Sequence, residues 1–312
     1  MKGEKKPKPI ITGTFLDEIT HDIPSQNWGE EDWLKEFKVM KEIGIDTVII
    51  IRAGYKNFAT FDSRVIDAYV VPDLDLAELF LRAAELNDMK LFFGLYDSGN
   101  YWMKGDWQKE TEVNKGFIDE VYDKYGYFSS FHGWYLPHEV SLGERNYTKL
   151  IQSIGGYCKE ITPEKPTLIS PFFHGVKVGG SKPITVNEHK KVWESIFENI
   201  AGYVDICAFQ DGHVEYEELE EWFSATKELT DRFGITLWSN CESFDRDMPI
   251  KFMPIDWRKM RVKLQVAYKF VEKIITFEFP HFMSPNSIWP SARNLYARYK
   301  EYLRNFILKS VV

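Results

Sequence analysis

No run of about 18 apolar residues occurs in this 312-residue chain, so no membrane-spanning helix is expected. Cysteine is scarce. Cys158, Cys207 and Cys241 form no CxxC pair, which argues against a zinc ribbon or a disulfide framework, and Cys207 in its apolar run reads as a small buried hydrophobe. Positive charge is not in excess. The net charge of -8 disfavours nucleic acid or an anionic membrane surface as partner. There is no glycine-rich dinucleotide fingerprint, no HxxE or HxH metal spacing and no domain-boundary linker. The opening "MKGEKKPKP" has no apolar core of a signal peptide. It reads as a disordered basic lead-in over residues 1–9, or as the stretch left once a leader has been trimmed. The expected location is the periplasm or the exterior, with the cytoplasm left open.

Aromatic residues are abundant: 16% of the chain, with 10 Trp, 16 Tyr and 23 Phe. Flat rings fill cores, and they also stack on the apolar faces of sugars. Short β-branched or aromatic runs recur at 10–18, 46–55, 90–97, 131–139, 166–174, 204–212, 235–243 and 273–281. Several are continuously apolar, as strands buried on both faces require. Amphipathic stretches come after each run, at about 30–44, 73–87, 107–125, 145–160, 189–200, 217–233, 257–272 and 291–308. Asp73 reads as a helix cap, and Gly44 as the residue just past a helix end. Eight alternating units predict a single-domain (β/α)8 TIM barrel over residues 10–312, in preference to an open doubly wound sheet. The longer loops, about 56–72, 98–106, 175–188 and 244–256, all come after strands and should crowd one rim.

Barrel enzymes carry their chemistry at the C-terminal ends of the strands. The stretch "HGWYLPHEV" (132–140) ends one strand in His138 and Glu139 behind Pro137. The other strand ends carry Asp17, Arg52, Tyr96, His174, Gln210, Asp211, Trp238, Asn240, Glu242 and Glu278, with Trp102 and Trp289 close behind. Five of the seven histidines fall on this rim: His21, His138, His174, His213 and His281. Any one carboxylate there can be a plain cap, and Trp134 and Trp238 can be plain core. Together they suggest a polar, aromatic-walled, acidic pocket. Glycoside hydrolysis needs two carboxylates flanking one bond, and Glu139 with Glu242 is the pair chosen.

An arginine ending the second strand and glutamates on the fourth and seventh make Arg52, Glu139 and Glu242 resemble the large clan of retaining (β/α)8 glycoside hydrolases. "GTFLDE", "NWGEEDWLKEFKVMKEIGIDTVIII" and "GWYLPHEV" make nearly the whole chain similar to an uncharacterised bacterial family of glycoside-hydrolase-like barrels, the domain of unknown function 4434 type. The clan resemblance implies Glu139 as acid/base and Glu242 as nucleophile. Two positions depart from the clan. His138 stands where an asparagine usually binds the sugar 2-hydroxyl, and Glu278-Phe279-Pro280-His281 stands where a tryptophan commonly ends the last strand.

The expectation is therefore a hydrolase of oligo- or polysaccharides with no cofactor or metal. Burial beside Trp134 and Tyr135 should raise the Glu139 pKa, and Arg52 should keep Glu242 ionised. Tyr96, Trp102, Trp238 and Trp289 would stack sugar rings; Asp17, Gln210 and Asn240 would bind hydroxyls; His138, His174 and Glu278 complete the set. Two other readings stand beside it. One is a metal-dependent sugar isomerase or deacetylase using Glu139, His174, Asp211, Glu242, Glu278 and His281. The other is a carbohydrate-binding barrel without chemistry.

Overall fold

A computed structural model of the chain describes residues 8–20, 23–70, 74–143, 146–246 and 252–309. The strands β1 (Gly13–Leu16), β2 (Thr47–Ile50), β3 (Lys90–Gly94), β4 (Phe131–Tyr135), β5 (Thr167–Ile169), β6 (Ile206–Gln210), β7 (Thr236–Asn240) and β8 (Lys273–Thr276) pair in parallel with their sequence neighbours. β8 returns to β1 through Gly13↔Ile275 and closes the barrel. Outside it lie α1 (Glu30–Glu42), α2 (Leu76–Leu86), α3 (Trp107–Tyr125), α4 (Tyr147–Ile161), α5 (Val186–Ile200), α6 (Leu219–Phe233), α7 (Trp257–Ala267) and α8 (Pro290–Lys309). This is the expected TIM barrel. Most of the lead-in (residues 1–7) and His21 lie outside the described residues.

Helix ends obey local chemistry. Asp75, two residues after the expected Asp73, caps α2 by accepting from the Glu78 N–H at 2.8 Å; Asp73 itself lies outside the described residues. Thr185 and Glu188 cap each other at the start of α5, three residues earlier than the spacing suggested. Gly44 adopts φ 93° just past α1, where a side chain would be strained.

The strands have two apolar faces, with side chains alternating along each strand. Phe15, Ile49, Phe92, Tyr135, Leu168 and Ala208 fill the barrel. Leu16, Val48, Ile50, Phe93, Trp134 and Phe209 face the helices. Trp134 therefore donates its indole N–H outward, to Thr162 Oγ1 at 2.8 Å, while Tyr135 points inward. Trp238 also faces inward, but at the wrong end. It pairs with Lys273, the first residue of β8, and lines a cavity of about 700 Å³ with Phe92, His132 and Lys90 at the N-terminal end of the barrel. It closes the bottom and cannot stack a sugar at the rim. All three cysteines are free and buried.

The segments after β1 and β8 meet in a buried polar cluster. Glu36 of α1 accepts from Ser284 Oγ (2.9 Å) and Asn286 Nδ2 (2.7 Å). Glu18 accepts from Ser25 Oγ and the Gln26 N–H. Burial pushes both carboxyls up to about 7 from 4.5. Burial alone would lower His281, but Glu278 and then Glu18 raise it to about 9 from 6.5. In all three the folded value exceeds the unfolded one, so the stabilisation is complete below the unfolded pKa and lost as pH rises through the folded one. The two glutamate contributions fade between about pH 4.5 and 7, and that of His281 between about 6.5 and 9. His132, His189 and His213 are lowered by burial and act in the opposite sense below about pH 6.5, so the check is a difference between two proteins. The melting temperature of the native protein minus that of Glu36→Gln should fall between about pH 4.5 and 7 in calorimetry, as a contribution of order 3 kcal/mol is lost. A difference that stays constant or rises over this range would contradict the assignment.

Candidate active site

At the C-terminal end of the barrel the strand ends enclose a cleft of about 290 Å³ lined by Asp17, Arg52, Gln210, Glu139 and Glu242 among others. Pro137 ends the strand, and the next two side chains part ways. His138 turns outward and is fully buried, its Nε2 donating to Glu110 Oε1 of α3 at 3.0 Å. It anchors the strand end and does not reach a sugar. Glu139 turns into the cleft with its side chain 27% exposed. The Tyr135 hydroxyl donates to Glu139 Oε1 at 3.4 Å, and Arg52 Nη2 stands 3.9 Å from Oε2. Burial and then Glu139 hold the Tyr135 phenol well above its usual pKa, so it remains a donor.

Arg52 is held in place from behind. Its Nε donates to Asp97 Oδ2 at 3.3 Å, its Nη2 donates to the Pro137 carbonyl at 3.4 Å, and its guanidinium lies 5.2 Å from the centre of the Tyr55 ring. Asp97 in turn accepts from the Trp102 indole N–H at 2.9 Å. Burial would raise Asp97, but Arg52 and His138 hold it below the ordinary carboxylate value. Trp102 is thus a brace behind Arg52, edge-on to His138. It is not a wall of the cleft.

Glu242 is buried on the opposite side. Arg246 grips it at two points, Nε to Oε2 at 2.9 Å and Nη2 to Oε1 at 2.5 Å. Burial would raise its pKa, yet Arg246 outweighs that and holds it below 4.5. The cation that keeps Glu242 ionised is therefore Arg246, four residues on, and not Arg52. Its backbone is fixed as well. The Glu242 N–H donates to Asp211 Oδ1 at 3.1 Å, and buried Lys263 of α7 donates to the Glu242 carbonyl at 2.8 Å while pairing with Asp211 at 2.6 Å. Gly212 makes room for the carboxylate: a Cβ there would fall 1.6 Å from Glu242 Oε2.

The rest of the wall differs from the expected tryptophans. Phe172, Phe244, Phe252, Phe277 and Tyr55 line the cleft. Phe277 comes after β8 at a cis peptide to Glu278 and supplies the aromatic group at that strand end. His213 also lines the cleft, its ring tilted against that of Phe172 with centroids 4.8 Å apart. Burial and then Arg246 lower it to about 4, so its ring is neutral near pH 7. Asp17 accepts from the Ile19 and Thr20 N–H groups, and Gln210 Nε2 donates to the Ser170 carbonyl. With three carboxylates (Asp17, Glu139, Glu242) against two guanidiniums, the cleft is more nearly balanced in charge than acidic.

Five more expected site residues sit elsewhere. Tyr96 packs on Phe117 and donates its hydroxyl to the Lys56 carbonyl. Asn240 is buried, donating to Ser170 Oγ at 3.1 Å. His174 Nε2 donates to the Lys182 carbonyl, so Nδ1 accepts from Ser141 Oγ; the ring pins the segment after β5. Glu278 caps the single-turn helix Phe279–Phe282 and pairs with His281. Trp289 packs behind that turn.

The model of the family described as "Domain of unknown function (DUF4434)" matches residues 11–289. The chain belongs to this family. It is 48% identical to a Bacteroides thetaiotaomicron VPI-5482 structure described as a "putative alpha-L-fucosidase", with a TM-score of 0.92 over 96% of this chain and 94% of that one. An endo-1,4-beta-D-mannanase from Thermotoga petrophila RKU-1 shares 11% identity at a TM-score of 0.60, covering 93% of this chain and 99% of that one. A beta-galactosidase from Marinomonas ef1 shares 9% at 0.58, covering 97% and 60%. At those two identities the likeness is one of fold. No curated protein sequence matches the chain.

In this DUF4434 barrel the six residues considered as metal ligands are dispersed. Glu242 is taken by Arg246, Asp211 by Lys263, His174 by serine hydroxyls and a carbonyl, and Glu278 with His281 by each other. Among the described residues, Asp97, Glu110 and His138 do bring three ligand atoms within 4.8 Å of one another. Those atoms are occupied by Arg52, Trp102, Ser98 and the His138–Glu110 bond itself, and the group reads as the brace of the Glu139 strand end. No helix among the described residues is long and apolar enough to cross a membrane.

Proposed function

We propose that this barrel hydrolyses a glycosidic bond with retention, Glu242 acting as nucleophile and Glu139 as acid/base. The observation that carries this reading is the contrast between the two glutamates lining one cleft. Glu242 is held ionised by a two-point ion pair, and Glu139 stands half-open to the cleft under the Tyr135 hydroxyl. In the first step a Glu242 oxygen attacks the anomeric carbon. The carbon–oxygen bond to the leaving group breaks, and Glu139 gives that oxygen a proton. Each oxygen of Glu242 keeps a lone pair beyond the one Arg246 uses. In the second step Glu139 takes a proton from water, the water oxygen attacks the anomeric carbon, and Glu242 leaves as carboxylate. His213 and Gln210 would bind sugar hydroxyls, and Phe277 would face a ring.

The volume of about 290 Å³ is at the small end for ligand pockets and suits one sugar residue at the reacting centre. The 48% identical relative makes α-L-fucosides the first class to try. The test is sugar release from a panel of aryl glycosides, 4-nitrophenyl α-L-fucoside among them, and from fucosylated oligosaccharides. Release by the native protein that Glu242→Gln abolishes supports the reading. Failure to release sugar from any of them, or equal rates for both proteins, overturns it.

A further inference from the structure

A small sheet stands on the rim beside the cleft. Its strands are Tyr69–Val70, Phe58–Ala59, Gly54–Tyr55 and Tyr96–Asp97, in that order. The register sets Asp97 opposite Tyr55, Tyr55 opposite Phe58 and Phe58 opposite Tyr69. Residues directly opposite each other share one face of a sheet. The other face carries Tyr96, Gly54, Ala59 and Val70, and it packs on the core: Ala59 is fully buried, and Tyr96 meets Phe117. So Asp97, Tyr55, Phe58 and Tyr69 form a single row pointing away from the core.

That row begins at the active site. Asp97 holds Arg52, and Tyr55 lines the cleft. Exposure then climbs outward, from 8% at Tyr55 to 38% at Phe58 and 69% at Tyr69. The Phe58 and Tyr69 rings lie 6.3 Å apart between centroids. Neighbouring strands are about 4.8 Å apart, so the row advances by roughly one sugar residue per ring. Two exposed rings of this size add nothing to the core. They sit on paired strands, which spares a ligand the entropy of ordering them.

We infer that Phe58 and Tyr69 are the outer subsites of this enzyme, binding a neutral oligosaccharide chain whose end sits in the cleft. The inference rests on the glycosidase reading for what occupies the cleft, and it adds the substrate class: a sugar chain extending at least two residues beyond the cleaved bond, rather than an isolated glycoside. Rings suit a neutral chain because they meet the C–H faces of sugars without needing charge.

The test is native affinity electrophoresis of the full chain in gels containing xyloglucan, galactomannan, arabinoxylan or mixed-linkage glucan, run beside rate measurements on 4-nitrophenyl α-L-fucoside. The protein should be retarded by at least one of the four. Phe58→Ala and Tyr69→Ala should each weaken that retardation about three- to tenfold, and the double variant more, with the aryl glycoside rate unchanged. Both side chains are exposed enough that the fold should survive, which the melting temperature checks. Absence of retardation in all four gels, or equal retardation of native and double-variant protein, overturns the outer subsites. Ring-dependent retardation without hydrolysis of any substrate would instead leave the subsites standing and remove the glycosidase reading.

Discussion

Glu242→Gln should leave the barrel folded and reduce turnover by on the order of 10⁴-fold or more on every substrate, whatever its leaving group. Glutamine keeps the shape and one acceptor for Arg246, but it cannot form the glycosyl ester. Glu139→Gln should behave differently. A nitrophenyl leaving group needs little protonation, so its release survives, while poor leaving groups lose about 10²–10⁴-fold. Breakdown of the ester then becomes slow, because the same residue serves as base. Azide needs no base and should restore turnover, giving a glycosyl azide of retained configuration. Azide rescue of Glu242→Gln with retention, and none of Glu139→Gln, would exchange the two roles. The pH profile adds an independent check. Burial raises Glu242, and Arg246 more than reverses that. The acid limb of kcat/KM should therefore lie below the ordinary carboxylate value of 4.5, and Arg246→Ala should move it upward.

The barrel was legible because its two signals are local. Parallel strands covered on both faces must be apolar throughout, and each helix shows its apolar stripe at helical spacing. Glu139, Arg52 and Glu242 were legible for the same reason: each comes directly after a readable strand. What the sequence hides is the direction of a side chain where the strand stops being regular. At the β4 end, His138 and Glu139 are neighbours with opposite fates, and at the rim sheet Tyr96 faces the core while Asp97 faces Arg52. Depth along a staggered barrel is equally hidden. Trp238 belongs to the strand that leads to Glu242, yet the register with Lys273 places it at the opposite end of the barrel. The partner of Glu242 left a signal that could have been read: Arg246 stands four residues after it. Phe277, one residue before the acidic Glu278, could have been found by asking which aromatic group replaces the missing tryptophan.

The other large effect should come from a residue with no side chain. A Cβ at position 212 would lie 1.6 Å from Glu242 Oε2, 2.6 Å from Glu242 Cδ and 2.9 Å from Arg246 Nε. No real contact is that short, so Gly212→Ala must displace something. The Glu242 backbone cannot easily yield, because Asp211 and Lys263 hold its N–H and carbonyl. The carboxylate is what moves, carrying Arg246 with it. A shift of about 1 Å in a reacting group costs roughly 10²-fold, so Gly212→Ala should lower kcat by at least that much. KM should change less, since Glu139, Gln210 and Phe277 stay where they are. Gly179→Ala is the control, because a Cβ at that position meets nothing within 4 Å and should leave the rate intact. Wild-type kcat in Gly212→Ala would mean that the position of Glu242 does not matter to the chemistry, and the nucleophile would have to be sought elsewhere on the rim.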